Sequence, residues 1–307
     1  MQSERMPSYG GQALIEGVLM RGTHGLAAAF RHPDGNIVIK SETLPAIYQS
    51  RLRKLPFLRG LIILWDALGL GMKYLTVSAN IQADENEKIE GPLLTFTLIF
   101  SLLIGISLFF LLPALIGGWF QNLFNISSWL SNVLEGLVRL IIVIAYLILI
   151  RKMEDIKRVF MYHGAEHKTI NAFEAKSDLI PEKVQQFTTI HPRCGTGFLI
   201  SLVLISIIFF SLLGPMPIIT RLISRILSIP LLAAFTYEWI RWSANRLNNP
   251  IVKFMVWPNL FAQKLTTIEP TLDMLEVSIA SFYAMYEQEL SLTEMKKAKI
   301  SPVNVLD

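Results

Sequence analysis

The sequence predicts a mainly α-helical, polytopic membrane protein with about four transmembrane helices, a small N-terminal cytoplasmic β-rich region and a C-terminal amphipathic helix. Three observations lead there. Of the 307 residues, 52% are hydrophobic and only 17% charged, and the mean hydropathy is +0.46, far from an ordinary soluble domain. Two uncharged runs, Leu93 to Gly118 and Gly195 to Thr220, each exceed the roughly 20 residues a helix needs to cross a bilayer core. Lys and Arg are distributed one-sidedly about those runs.

Each element follows in order. Residues 1–92 form the N-terminal cytoplasmic region. In "AAAFRHPDGNIVIK", Pro33-Asp34-Gly35 separates two segments that can pair as a hairpin. From Leu55 to Leu75 the chain is apolar but interrupted by Arg59, Asp66 and Lys73, which suits an interfacial or docked helix. Residues 93–150 hold the first transmembrane pair, 93–118 and 132–150. The second of these carries Glu135 and Arg139, spaced to pair along one helix face. Residues 151–195 form a cytoplasmic histidine-containing segment. Residues 196–240 give the second pair; Arg225, in the first turn of the last span, is placed to snorkel. Residues 241–307 are the C-terminal cytoplasmic region, with an apolar stripe of Leu272, Leu275, Ile279, Phe282 and Tyr286 and a loose tail from about Ser291.

Orientation comes from the basic residues. Gly118 to Ser131 has no Lys or Arg, whereas Arg151 to Cys194 is rich in both, so the latter belongs on the cytoplasmic side and both termini with it. The first nine residues are polar, and no signal peptide is expected. The expected location is a membrane crossed several times. The sole cysteine, Cys194, excludes an intrachain disulfide. A net charge of +4, concentrated on the cytoplasmic flanks, points to the lipid bilayer's anionic headgroups and a protein partner at that basic face; no nucleic acid is expected.

The chemistry concentrates in "YHGAEHKTI", where His163, Glu166 and His167 form an HxxEH grouping. Four residues of helix bring both imidazoles to one face. The order is that of the inverted zinc-protease motif, with His163 and His167 as ligands of a divalent metal, possibly zinc, and Glu166 as the catalytic general base. Such a site takes three protein ligands. The candidates for the third are His191, Cys194, Glu238, Glu174 and Glu16, and His191 is the first choice, because "HPRCG" stands at the mouth of the third span. Cys194 also suits a thiolate ligand or a nucleophile paired with a histidine.

Five segments, "GGQALIEGVLMRG", "YHGAEHKTINAFE", "HPRCGTGF", "YEWIRW" and "PNLFAQKLTTIEP", together resemble the YqhQ-like bacterial membrane proteins. That family is of undefined function and is often labelled as predicted metal-dependent enzymes. The resemblance implies a multispan inner-membrane protein with a cytoplasmic polar cluster, in which His163, Glu166, His167, His191, Arg193, Cys194 and Glu238 occupy the motif positions. Three functions remain in competition: a membrane-embedded metal-dependent hydrolase, a non-catalytic membrane scaffold or biogenesis factor, and a transporter. The last is weakest, because the strong spans lack ionisable residues and no internal repeat is visible.

Overall fold

The computed structural model describes residues 9–44, 55–83, 91–192 and 194–300, the side chains of 63, 66, 67 and 293–300 excepted. Four strands, β1 (Gly10–Leu14), β2 (Gly17–Arg21), β3 (Gly25–Arg31) and β4 (Ile37–Thr43), form an antiparallel sheet in chain order. The expected hairpin is its β3–β4 half. Gly35, at φ +91°, supplies the left-handed residue that the turn requires. The β1–β2 connection is the two residues Ile15 and Glu16, and Glu16 takes φ +50°, the left-handed conformation of a tight hairpin.

Alternation along the strands sends side chains to two cores. Val18, Met20, Ala27 and Ala29 face helices α5 (Glu154–Glu174) and α11 (Leu272–Ile300), packing with Tyr162, Ala165 and Phe282. Leu19, Leu26, Ala28 and Phe30 face helix α1 (Leu58–Gln82) through Leu70, Tyr74 and Val77. The apolar segment after Leu55 is thus a docked helix. In α11 the buried positions include Met274, Leu275, Ile279, Phe282 and Met285. Leu272, expected in the stripe, is exposed because it is the first helical residue. The helix also runs on to Ile300, past Ser291 where a loose tail was expected.

Two helices are long and apolar enough to cross a membrane: Gly91–Phe124, of 34 residues, and Ser128–Ile150, of 23 residues. The first comprises α2 (Gly91–Ile106), a π-helical turn (Ser107–Leu111) and α3 (Leu112–Phe124); the second is α4. A third crossing arises if α8 (Ile218–Leu227) and α9 (Ile229–Ala244), bent by 45° at their junction, count as one. Pro230 sits in the first turn of α9, lacks an N–H and breaks the ladder there. Helix α7 (Gly195–Ser211) has 17 residues, because the uncharged run that contains it stops being helical at "LLGPMP", where Gly214, Pro215 and Pro217 cannot extend it. Helix α2 buries no residue within the protein, as suits a lipid-facing surface.

Glu135 and Arg139 pair as their spacing expects, at 2.8 Å. Arg225 does not snorkel. It is 1% exposed, and its Nε donates to Glu135 Oε1 at 2.8 Å. A buried carboxylate offers it more than the interface does. At the other end of α4 the chain turns through Arg151–Met153 into α5, with the short α6 (Pro181–Val184) beyond it and α10 (Pro250–Thr266) alongside α7. These four elements frame the histidines.

Candidate metal centre

Helix α5 carries the HxxEH grouping into the junction between the sheet and the helical bundle. Gly164 lets it lie there: a Cβ on that residue would stand 2.1 Å from the Ile268 carbonyl oxygen, a distance no side chain tolerates. The chain after α10 consequently runs against α5, with Ile268 N donating to Phe160 O at 3.0 Å. This approach brings the last carbonyl of α10, that of Thr266, to 2.9 Å from His163 Nδ1. The end carbonyls of a helix lack intrahelical partners, so Thr266 O is free to accept. His167 Nδ1 lies 2.5 Å from Thr189 O.

A carbonyl oxygen only accepts hydrogen bonds, so each Nδ1 bears the hydrogen and each neutral ring keeps its lone pair on Nε2. Backbone partners of this kind fix ring orientation and tautomer in metal-ligating histidines. The two rings stand 4.5 Å apart between centroids. Cys194 meets them as the N-cap of α7, its Sγ accepting from Thr196 N at 3.3 Å and lying 3.2 Å from His163 Nε2. One ligand atom each from His163, His167 and Cys194 falls within 4.8 Å of the others. Tetrahedral zinc bound to one sulfur and two nitrogens sets its donors about 3.3–3.6 Å apart. The donor set therefore fits a divalent ion after small side-chain rotations.

Glu166 completes the group. Its Oε2 is 3.9 Å from His163 Nε2 and 3.7 Å from His167 Nε2. Burial pushes its carboxyl above the usual carboxylate range, opposed by the imidazoles of His163 and His191 and by the Gly11 N–H, which donates to it. Strand β1 closes over it so tightly that a Cβ on Gly11 would sit 2.7 Å from Glu166 Cγ. "GGQALIEG" and "HGAEH", far apart in sequence, thus form one site.

The remaining candidates take other places. His191 is buried, with its ring 5.8 Å from that of His167 and its Nε2 3.7 Å from Glu174 Oε2. Its backbone is held by Gln263, which accepts from His191 N and donates to His191 O, both at 3.0 Å. Glu16 is engaged elsewhere: it accepts from Arg158 Nη2 at 2.6 Å and from Tyr162 Oη at 3.2 Å. Glu238 binds Arg59 Nε at 2.6 Å and Phe57 N at 3.1 Å, partners distant in sequence and away from the histidines. Arg193 lies outside the described residues. Sequence reading passed over Gly11, Thr189, Gln263 and Thr266, of which three act here through backbone atoms. Only the glycine-rich character of "GGQALIEG" hinted at a close approach.

Residues 55–288 match a family described as proteins of unknown function, DUF1385. The chain belongs to this family. It is also 31% identical over 300 residues to the uncharacterized protein YqhQ of Bacillus subtilis (strain 168), covering 92% of this chain and 93% of that protein. No solved structure matches. For this DUF1385 member the YqhQ-like resemblance of the five segments therefore extends over nearly the whole chain, and both parts of the site beyond β1 fall within the family match.

Proposed function

We propose that this protein is a membrane-embedded, metal-dependent hydrolase in which His163, His167 and Cys194 hold one divalent ion, zinc by its donor set. The observation that carries this reading is the convergence of one ligand atom each from His163, His167 and Cys194 within 4.8 Å, with both Nδ1 atoms engaged by backbone carbonyls. When bound, such an ion supplies Lewis acidity. Glu166, beside both Nε2 atoms, takes a proton from the attacking water and returns it to the leaving group. Burial raises its carboxyl above the usual carboxylate range, the direction that favours holding a proton. The bundle crosses the bacterial inner membrane four times, α7 and the bent α8–α9 pair included, with both termini and the histidines on the cytoplasmic face. Substrates are amides or esters on peptides or lipid-linked molecules reached from that face.

A scaffold reading has one observation in its favour: Gly11 and β1 enclose Glu166, as in a structural site, while the basic segment after Arg151 docks a protein partner. Metal analysis of detergent-purified protein, with complementation of a deletion strain, separates the two. His163→Ala, His167→Ala and Cys194→Ser lose the metal, and His191→Ala keeps it. Glu166→Gln keeps metal and expression but does not complement. Full complementation by Glu166→Gln overturns the catalytic assignment, and an absence of metal in wild-type protein overturns the site.

A further inference from the structure

About 18 Å along α7 from Cys194, at Ser206, lies a second polar cluster that the proposed hydrolase does not use. Glu135 is fully buried, and Arg139, Arg221 and Arg225 around it are 1%, 5% and 1% exposed. Arg225 Nη2 donates to Glu135 Oε2 and Asn132 Oδ1, both at 2.8 Å. Arg221 Nη2 donates to Glu135 Oε2 at 2.9 Å and its Nη1 to Gln121 Oε1 at 3.2 Å. Arg139 donates through Nη2 to Glu135 Oε1 and through Nη1 to Ser206 Oγ, both at 2.8 Å. Its Nε donates to Phe109 O at 2.9 Å, a carbonyl of the π-helical turn, where the regular ladder is interrupted.

Hydrogen bonding is satisfied, but charge is not. Arginine stays protonated in proteins, so three guanidiniums face one carboxylate, and among the described residues no second carboxylate pairs with them. The Phe210 ring, 4.1 Å from Arg225 Cζ, contributes a quadrupole but no net charge. Excess positive charge buried in a lipid-facing bundle is costly unless an anion neutralises it.

The position for that anion is present. Arg221 and Arg225 line a cavity of about 10 Å³ with Gln121, Ser128, Asn132 and the Gly214–Met216 turn, room for about one water-sized atom. Trp119 and Trp129 flank Gln121 and Ser128 in sequence and are each 60% exposed, a placement typical of the headgroup layer. We infer that this cavity binds a phosphate oxyanion. One anionic oxygen enters between Arg221 and Arg225, whose Nε–Nη2 edges hold Glu135 and whose excess charge attracts it, and the rest of the group stays at the mouth. The phosphate comes from a phospholipid headgroup or from free phosphate.

Thermal unfolding of delipidated protein in neutral detergent tests this, with additions of phosphatidylglycerol, inorganic phosphate or chloride at matched ionic strength. At about 100 times its Kd the true ligand raises Tm by on the order of 5 °C. A rise with phosphatidylglycerol alone assigns a lipid source, and an equal rise with phosphate assigns the free ion. Arg221→Gln abolishes the increment. Should that variant not fold, Ser128→Asp decides: a carboxylate at the mouth takes the ligand's place, so the variant is more stable without additions and gains nothing from them. No increment in wild type, an equal increment from chloride, or a full increment in Ser128→Asp or Arg221→Gln overturns the proposal.

Discussion

Gly164 offers a sharp test of how the site is built, because helix propensity and tertiary packing predict opposite signs for Gly164→Ala. In a helix interior, Gly to Ala stabilises by about 1 kcal/mol. Here the new Cβ would stand 2.1 Å from Ile268 O, more than 1 Å inside an ordinary contact, and the atom it meets is backbone with no rotamer to adopt. Overpacking of this kind costs roughly 1–3 kcal/mol. Moving the 266–268 segment away also strains two hydrogen bonds, Ile268 N to Phe160 O and His163 Nδ1 to Thr266 O, each worth about 1 kcal/mol. The net is a loss of roughly 1–3 kcal/mol, read as a Tm several degrees lower in detergent. Because Thr266 O orients His163, metal affinity falls as well, by about 10–100-fold, as for other partners of ligating histidines. Gly69→Ala is the control: it is helical, with nothing within 4 Å of the added Cβ, and gains stability with metal binding unchanged. A Gly164→Ala variant that tracks Gly69→Ala in both assays refutes the close approach and the positioning of His163 with it.

Glu238→Gln removes the charge that Arg59 pairs with, costing about 1–2 kcal/mol in detergent melts, while metal stoichiometry stays at the wild-type value; loss of metal would return Glu238 to the site. Burial pushes the Tyr9 hydroxyl up to about 12 from a usual value near 10, so the folded state holds its proton after the unfolded chain has released it. This contribution is complete below about pH 10 and disappears as pH rises toward about 12; Tyr9→Phe therefore loses less stability across that interval, and identical pH profiles would refute the assignment. For the topology, a thiol introduced at Asn125 in a Cys194→Ser background is labelled by an impermeant reagent in intact cells and one at Ser177 is protected; the reverse pattern moves the histidines outside.

What the sequence by itself determined was local. The HxxEH spacing gave a shared helix face because rotation per residue is a property of the backbone. Pro33-Asp34-Gly35 gave a turn through the conformational freedom of one glycine, and the apolar runs gave helices suited to a bilayer because hydrogen bonding there must be internal. Length was misjudged where prolines lay inside an apolar run, at "LLGPMP" and at Pro230, since hydropathy counts side chains and not missing N–H groups. Only the tertiary structure decided which residues meet. His191 and Cys194 are three positions apart in one loop at the mouth of the third span, a position that made the histidine the first choice; the cap of α7 and the clamp of Gln263 on the His191 backbone turn Cys194 toward His163 and set His191 against Glu174. The same holds for Gly11 over Glu166, Arg59 on Glu238, and Arg221 and Arg225 on Glu135. Each contact joins residues far apart in the chain, so its geometry depends on how whole elements pack, which no local pattern of residues encodes.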